Sequence, residues 1–312
     1  MVRCLFGGAK SAPVPLPGDR VVPMNSLDDN ALVHNTTLVV SFVFDALLDP
    51  EKLRDSLESL IKRDGWQKLG ARIRYNGATG RHEWHIPAEF TPARPAVAFS
   101  AHQHDAPFSE HPASSQIKRP DPASDRPQLI SDPLALADLS WGGSYRPSGI
   151  GDWYADPAED RPVMALRVHT FAGATTMVCL QWQHVAMDIM ALRELCQAWM
   201  AVLAGRHDQV PVPFGADADP FEPLVTGSRQ AAEAHVLDGR QAGMFGAFDG
   251  APASCKPWYA QGLSSPISPP DCFTIQGKDS RGNYWLEAPM VVGKWDEFMA
   301  FVDKELDSHV MS

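Results

Sequence analysis

Long apolar runs are scarce in this sequence. The most apolar stretch, LVVSFVFDALL, is too short to cross a bilayer and carries Asp45, so no membrane partner is expected. Cysteine is scarce as well. Cys4, Cys179, Cys196, Cys255 and Cys272 are odd in number, scattered and without a C-x-x-C pair. That pattern suits a reducing, cytoplasmic setting better than a disulfide framework. Basic residues are in deficit, with 27 Lys and Arg against 38 Asp and Glu, for a net charge of −11. Such a chain has no broad attraction for phosphate backbones, and no nucleic-acid partner is expected. At the N-terminus only residues 4–9 imitate a signal core, and two glycines interrupt them, so no signal peptide is read.

The familiar catalytic signatures are missing too. GLSSP (262–266) lacks the second glycine of G-x-S-x-G, which leaves a hydrolase elbow unsupported. SGIGDW has Gly149 and Gly151 but no third glycine and no clear strand leading into it, a very weak dinucleotide signal. There is no Walker A loop, no H-E-x-x-H and no zinc spacing. AHQHDAPFSEH gathers His102, His104, Asp105, Glu110 and His111. Read as a polar loop, it would have to be ordered before it could hold an ion, so no metal is expected.

What the chain does contain is enough apolar material for a substantial core, at 312 residues and 44% hydrophobic composition. TTLVVSFVFD (36–45) is β-branched and aromatic and predicts a strand buried on both faces. DPEKLRDSLESLIKRDG (49–65) predicts a helix with Asp49 as N-cap, Pro50 in the first turn and Gly65 at its end. Leu53, Leu57, Leu60 and Ile61 fall on one stripe of it. Residues 71–76 and 81–86 read as a hairpin around GATG. Residues 92–160 lack sustained periodicity and read as a long surface excursion. Strands are predicted over 162–171 and 174–183, a helix over 188–205, a hairpin over 271–277 and 283–292, and a last helix over 294–306. This order argues for an α/β or α+β layered fold.

One junction stands out. In LQWQHVAMDIMALRELC (180–196) a buried strand gives way to an amphipathic helix, and His184 and Asp188 lie at the join. Strand alternation puts His184 on the side of Val178, Leu180 and Trp182. An imidazole at an apolar edge favours its neutral, basic form, and Asp188 could hold the corner through turn amides or an arginine. The residues alone equally allow a satisfied core histidine beside an N-cap aspartate. Trp66, Trp141, Trp153 and Trp182 could line a hydrophobic pocket, although core packing is the commoner use of such residues.

QHVAMD between strand and helix resembles the H-x-x-x-D motif of the BAHD-like acyltransferases, within the chloramphenicol acetyltransferase superfamily. In particular it resembles the fungal O-acyltransferases of secondary metabolism, which include trichothecene acetyltransferases. DPEKLRDSLESLIKRDGWQKLGARIR (49–74) is similar to that group's first helix and strand entry, and PPDCFTIQGKDSRGNYWLEAPM (269–290) to its closing hairpin. The resemblance implies an α/β fold of mixed-sheet, layered, chloramphenicol acetyltransferase type. It implies CoA-dependent transfer of an acyl group, acetyl above all, to a hydroxyl of a fungal secondary metabolite. His184 would be the general base and Asp188 a structural residue. Acyl-CoA would be a co-substrate with no bound cofactor, the partners would be acyl-CoA and a small-molecule alcohol acceptor, and the protein would be a monomer.

The sequence departs from the family in three ways. Ile189 stands where glycine often follows the aspartate. Gln183 occupies the place of the second histidine of condensation domains, which argues against a condensation-type N-acyltransferase using a carrier-bound thioester. No D-F-G-W-G occurs anywhere. The expected division is therefore an N-terminal acyltransferase domain over 1–237, a junction over 238–255, and a remnant of the second domain over 256–312. A non-catalytic binding relic of the same fold is the alternative.

Overall fold

The computed structural model describes residues 15–124, 126–131, 135–142, 147, 149–156, 159–213, 219, 248, 256–265, 274–278, 284–287 and 294–310. Among the described residues the centre is a five-stranded mixed sheet. Its strands are β2 (Thr37–Phe44), β5 (Ala98–Pro107), β6 (Met164–Ala172), β7 (Thr175–Gln183) and β8 (Tyr259–Ser265), in the order β5-β6-β7-β2-β8. β5 and β6 run parallel, while β6–β7, β7–β2 and β2–β8 are antiparallel. A second sheet, β1-β4-β3, is built from β1 (Arg20–Pro23), β3 (Arg72–Asn76) and β4 (Arg81–Ile86). β9 (Thr274–Lys278) and β10 (Tyr284–Glu287) form a separate antiparallel hairpin. The helices are α1 (Ala31–His34), α2 (Pro50–Ile61), α3 (Ala137–Trp141), α4 (Ile150–Trp153), α5 (Ile189–Leu203) and α6 (Lys294–Val310).

The two faces of the central sheet follow from residue alternation. Phe42 and Phe44 of β2 join Val178, Leu180 and Trp182 of β7 in a core covered by α2 and α5. Leu53, Leu57, Leu60 and Ile61 supply the α2 stripe, and Leu192, Leu195, Cys196 and Trp199 that of α5. Each fully buried leucine contributes about 1.5–3 kcal/mol, so packing outweighs the cap of about 1 kcal/mol that starts α2. That cap is Asp49, whose carboxylate accepts from the N–H groups of Glu51 and Lys52, with Pro50 next to it. Phe248 also belongs here, edge-on to Phe42 and Phe44 at 4.9 and 5.7 Å. Val39, Val43, Met177 and Cys179 point to the other face, beside Tyr259 of β8 and against Leu139 and Trp141 of α3.

The predicted excursion over 92–160 needs correction, because its residues 98–107 form edge strand β5. The strand is AFSAHQHDAP, whose two faces both mix small and polar residues and include only one large apolar side chain, Phe99, so it carries little hydrophobic signal. Its parallel partner, β6, arrives only after a long crossover, which a local reading does not anticipate. His102, His104, Asp105 and the following turn with Glu110 and His111 are thus ordered by a sheet. His102 lies opposite His169 in the register and stacks on it at 4.9 Å. His104 Nε2 lies 3.0 Å from His169 Nδ1, and His169 Nε2 lies 3.1 Å from the Leu139 carbonyl oxygen. β8 was likewise missed, since QGLSS reads as polar, yet it completes the sheet beside β2.

Burial, then the neighbouring His102 and His104, pushes the His169 imidazole down to about 3. A base whose folded value lies below its unfolded 6.5 stabilises the fold at neutral pH. That contribution fades as pH falls from about 6.5 towards about 3. Taking the native protein from pH 7 to pH 5 should cost about 2 kcal/mol through this one residue. Urea midpoints at the two pH values, compared with His169→Gln, check this. An equally steep pH dependence in the variant would refute it.

Candidate active site

β7 ends at Gln183, and the chain turns through 184–186 before α5 starts at Ile189. The turn is held on the neighbouring strand, where His184 N–H donates to the Thr36 carbonyl at 3.0 Å. Beneath it Trp182 is fully buried, and its indole N–H donates to the Met187 carbonyl at 2.8 Å. Val185 and Met187 are buried in the helix-side core, so the intervening loop is pinned at alternate residues. The His184 side chain is half-buried. Its Nδ1 is shut off from solvent and has no hydrogen-bond partner among the described residues. The ring is therefore placed by its backbone and not by a bond of its own.

Asp188 is exposed and caps α5, its carboxylate accepting from the Ala191 N–H at 2.8 Å. Of the two holding contacts that the sequence allowed, the amide is present. No salt bridge to an arginine is found for it among the described residues. Asp188→Ala should lower stability by about 1 kcal/mol, while Asp188→Asn, which keeps the cap, should lose only a few tenths. Thermal melts of both variants test this, and equal melting for Ala and wild type would rule out the cap as a contributor.

Two neighbours of this corner were not evident from sequence. Gly149 N–H donates to Thr37 Oγ1 at 2.9 Å, and Thr37 Oγ1 donates to Gln183 Oε1 at 2.9 Å. Gly149 therefore belongs to the support of the strand end, not to a phosphate loop. Asp28, in the turn before α1, is the other. Burial, then Asp219, pushes its carboxyl above the usual range, while Lys68 and His184 pull it down and Asp188 pushes it up. Its field therefore overlaps that of His184, although the two are far apart in the chain. No local motif marks it.

The four tryptophans settle as core. Trp66, Trp141, Trp153 and Trp182 are all at most 6% exposed. The indole N–H groups of Trp66 and Trp153 are satisfied by the Pro211 and Pro162 carbonyls. The thiols Cys179 and Cys196 are buried and pushed up to about 11 and about 12 by desolvation, which removes both as nucleophiles at neutral pH. A concavity of about 550 Å³ lies between residues 47–50 and the β5–β6 ends at His102, Gln103 and Thr170. Thr170 pairs with Thr176, eight positions before His184. At about 3.3 Å per residue that is about 25 Å from the imidazole, too far to serve it.

The class is thus an α/β layered fold with a mixed sheet, carrying an H-x-x-x-D corner where a central strand meets a helix. No family model matches the chain. It is 33% identical over 251 residues to acetyltransferase adrJ of Penicillium roqueforti, a match covering 80% of this chain and 48% of that one. It is 34% identical over 230 residues to a protein of Penicillium decumbens named transcriptional regulator calD, covering 74% of this chain and 44% of that one. In three dimensions it is similar to F. graminearum TRI101 complexed with coenzyme A and T-2 mycotoxin. The TM-score is 0.42 and the identity 10%, over 70% of this chain and 46% of that one. The chain spans about half the length of the curated relatives it matches. Over that share of their length it is similar to fungal proteins named acetyltransferases, in keeping with the resemblance read from its sequence. No helix among the described residues is long and apolar enough to cross a membrane.

Proposed function

We propose that this chain carries the catalytic-base half of a CoA-dependent O-acyltransferase acting on a small-molecule alcohol of fungal secondary metabolism. The observation that carries the reading is His184, half-buried and held by backbone at a strand-to-helix corner, in a chain homologous to acetyltransferases. His184 would take the acceptor hydroxyl proton as that oxygen attacks the thioester carbonyl carbon. A carbon–oxygen bond forms, the carbon–sulfur bond breaks, and the departing CoA thiolate recovers the proton from the imidazolium. No acyl-enzyme is needed, in keeping with the burial that silences Cys179 and Cys196, the two thiols among the described residues. Asp188 holds the end of α5 and takes no part in proton transfer.

We read residues 238–255 as the junction at which most of a second domain is lacking. Transfer needs both reactants held in line and sheltered from water, so such a loss bears on rate before it bears on fold. A regulator acting on DNA is disfavoured by the net charge of −11, which leaves little to neutralise phosphates. The test is turnover of acetyl-CoA against a panel of polycyclic alcohols, with CoA binding measured in parallel. Acyl transfer supports the reading. CoA binding without transfer supports a non-catalytic relic, and absence of both overturns the assignment for this chain.

A further inference from the structure

Outside the His184 corner, three chemistry-bearing side chains converge from separate elements. Asp29 lies in the turn before α1, His34 ends α1, and His82 lies on β4. Asp29 Oδ1 is 2.8 Å from His82 Nδ1 and 2.9 Å from His34 Nε2. The two rings meet edge-on at 4.3 Å between centroids. All three are largely shielded, with side-chain exposures of 10% for Asp29, 16% for His34 and 19% for His82. The sequence reading expects no metal and does not single out these residues, which are spread over 54 positions and form no motif.

The division of labour on the carboxylate is informative. Oδ2 accepts the backbone N–H of His82 at 3.2 Å and faces Arg81 Nε at 3.5 Å. Those contacts fix the carboxylate plane and leave Oδ1 for the two imidazoles. Outer contacts that orient a ligand in this way are the usual second layer of a metal site. Meanwhile His34 Nε2 is buried and, although 2.9 Å from Oδ1, makes no hydrogen bond of acceptable geometry. A buried polar nitrogen left in that state costs about 1–3 kcal/mol, and a coordinated ion would relieve it.

We propose that Asp29, His34 and His82 bind a divalent transition-metal ion of the zinc class, with two nitrogens and one oxygen as protein ligands and water completing the shell. Bond lengths of about 2.0–2.2 Å in a tetrahedral arrangement put ligand atoms about 3.3–3.6 Å apart, so each imidazole nitrogen must draw back from Asp29 Oδ1 by roughly half an ångström. Two imidazoles and a carboxylate suit zinc, cobalt or nickel over calcium and magnesium, which prefer all-oxygen shells. The ion would tie the turn before α1 to β4. Since Thr36, two residues beyond His34, holds the His184 backbone, it would brace the candidate active site from outside.

The test uses the full chain stripped with a chelator and titrated with Zn²⁺ and with Co²⁺. One ion per chain should bind, with visible d–d absorption for Co²⁺ and a rise in Tm for Zn²⁺. Asp29→Asn and His34→Gln keep volume and should weaken binding by at least about 10–100-fold. His102→Ala with His104→Ala removes the separate histidine stack and should leave the Co²⁺ spectrum unchanged. Absence of stoichiometric binding overturns the proposal, as does equal affinity in Asp29→Asn and His34→Gln. A spectrum lost only in the His102 and His104 variant would place the ion at the stack instead and equally overturn it.

Discussion

His184→Ala is expected to reduce acyl transfer by about 10²–10⁴-fold, the range that a placed general base contributes, and to leave Tm almost unmoved. The separation of the two effects follows from how the residue is held. Its N–H bond to Thr36 belongs to the backbone and survives in alanine. The imidazole itself makes no hydrogen bond among the described residues, and its Nδ1 is sealed off without a partner. Removing the ring thus deletes an unpaired buried nitrogen, which offsets some of the lost packing. Steady-state rates with acetyl-CoA and an accepted alcohol, alongside calorimetry, measure both. Undiminished turnover would end the base assignment. A large fall in Tm would mark the ring as a packing residue.

The second large effect is structural. Gly149→Ala should destabilise the protein by at least about 3 kcal/mol. Gly149 adopts φ +89° and ψ −168°, a region open essentially to glycine alone. A Cβ there would stand 1.9 Å from the His34 carbonyl oxygen and 2.5 Å from Asn35 Cα, both backbone atoms that cannot swing aside. To make room, the segment leading from α1 into β2 must move, and with it Thr36 and the His184 turn. Chemical denaturation should show the loss. By contrast Gly151→Ala, at a position with nothing within 4 Å, should be close to neutral. Comparable stability for the two variants would refute the close-approach argument.

Strong local signals read correctly. Strand β2, helix α2 with its Asp49 cap, the β3–β4 hairpin, and the β6–β7–α5 run all show in the sequence because apolar periodicity and turn residues agree there. β5 and β8 escaped because their side chains are polar or small, and a sheet edge needs little else. The His184 corner was legible, since a strand pattern changes to a helix pattern across five residues. Its supports were not. Gly149 reaches it through tertiary hydrogen bonding and Asp28 through its charge, and no spacing in the chain encodes either. The same holds for Asp29, His34 and His82, which three unrelated local structures bring together.

Strand β2 is flanked on one side by β7 and on the other by β8, both made far later in synthesis. As the polypeptide leaves the ribosome, some 130 residues must emerge before β7 can cover one side of β2, and more than 210 before β8 covers the other. During that interval a β-branched, aromatic ribbon waits with bare amides and carbonyls. Its hazard in the cell is therefore premature association of nascent chains, and chaperone demand should track the delay before residue 259 appears.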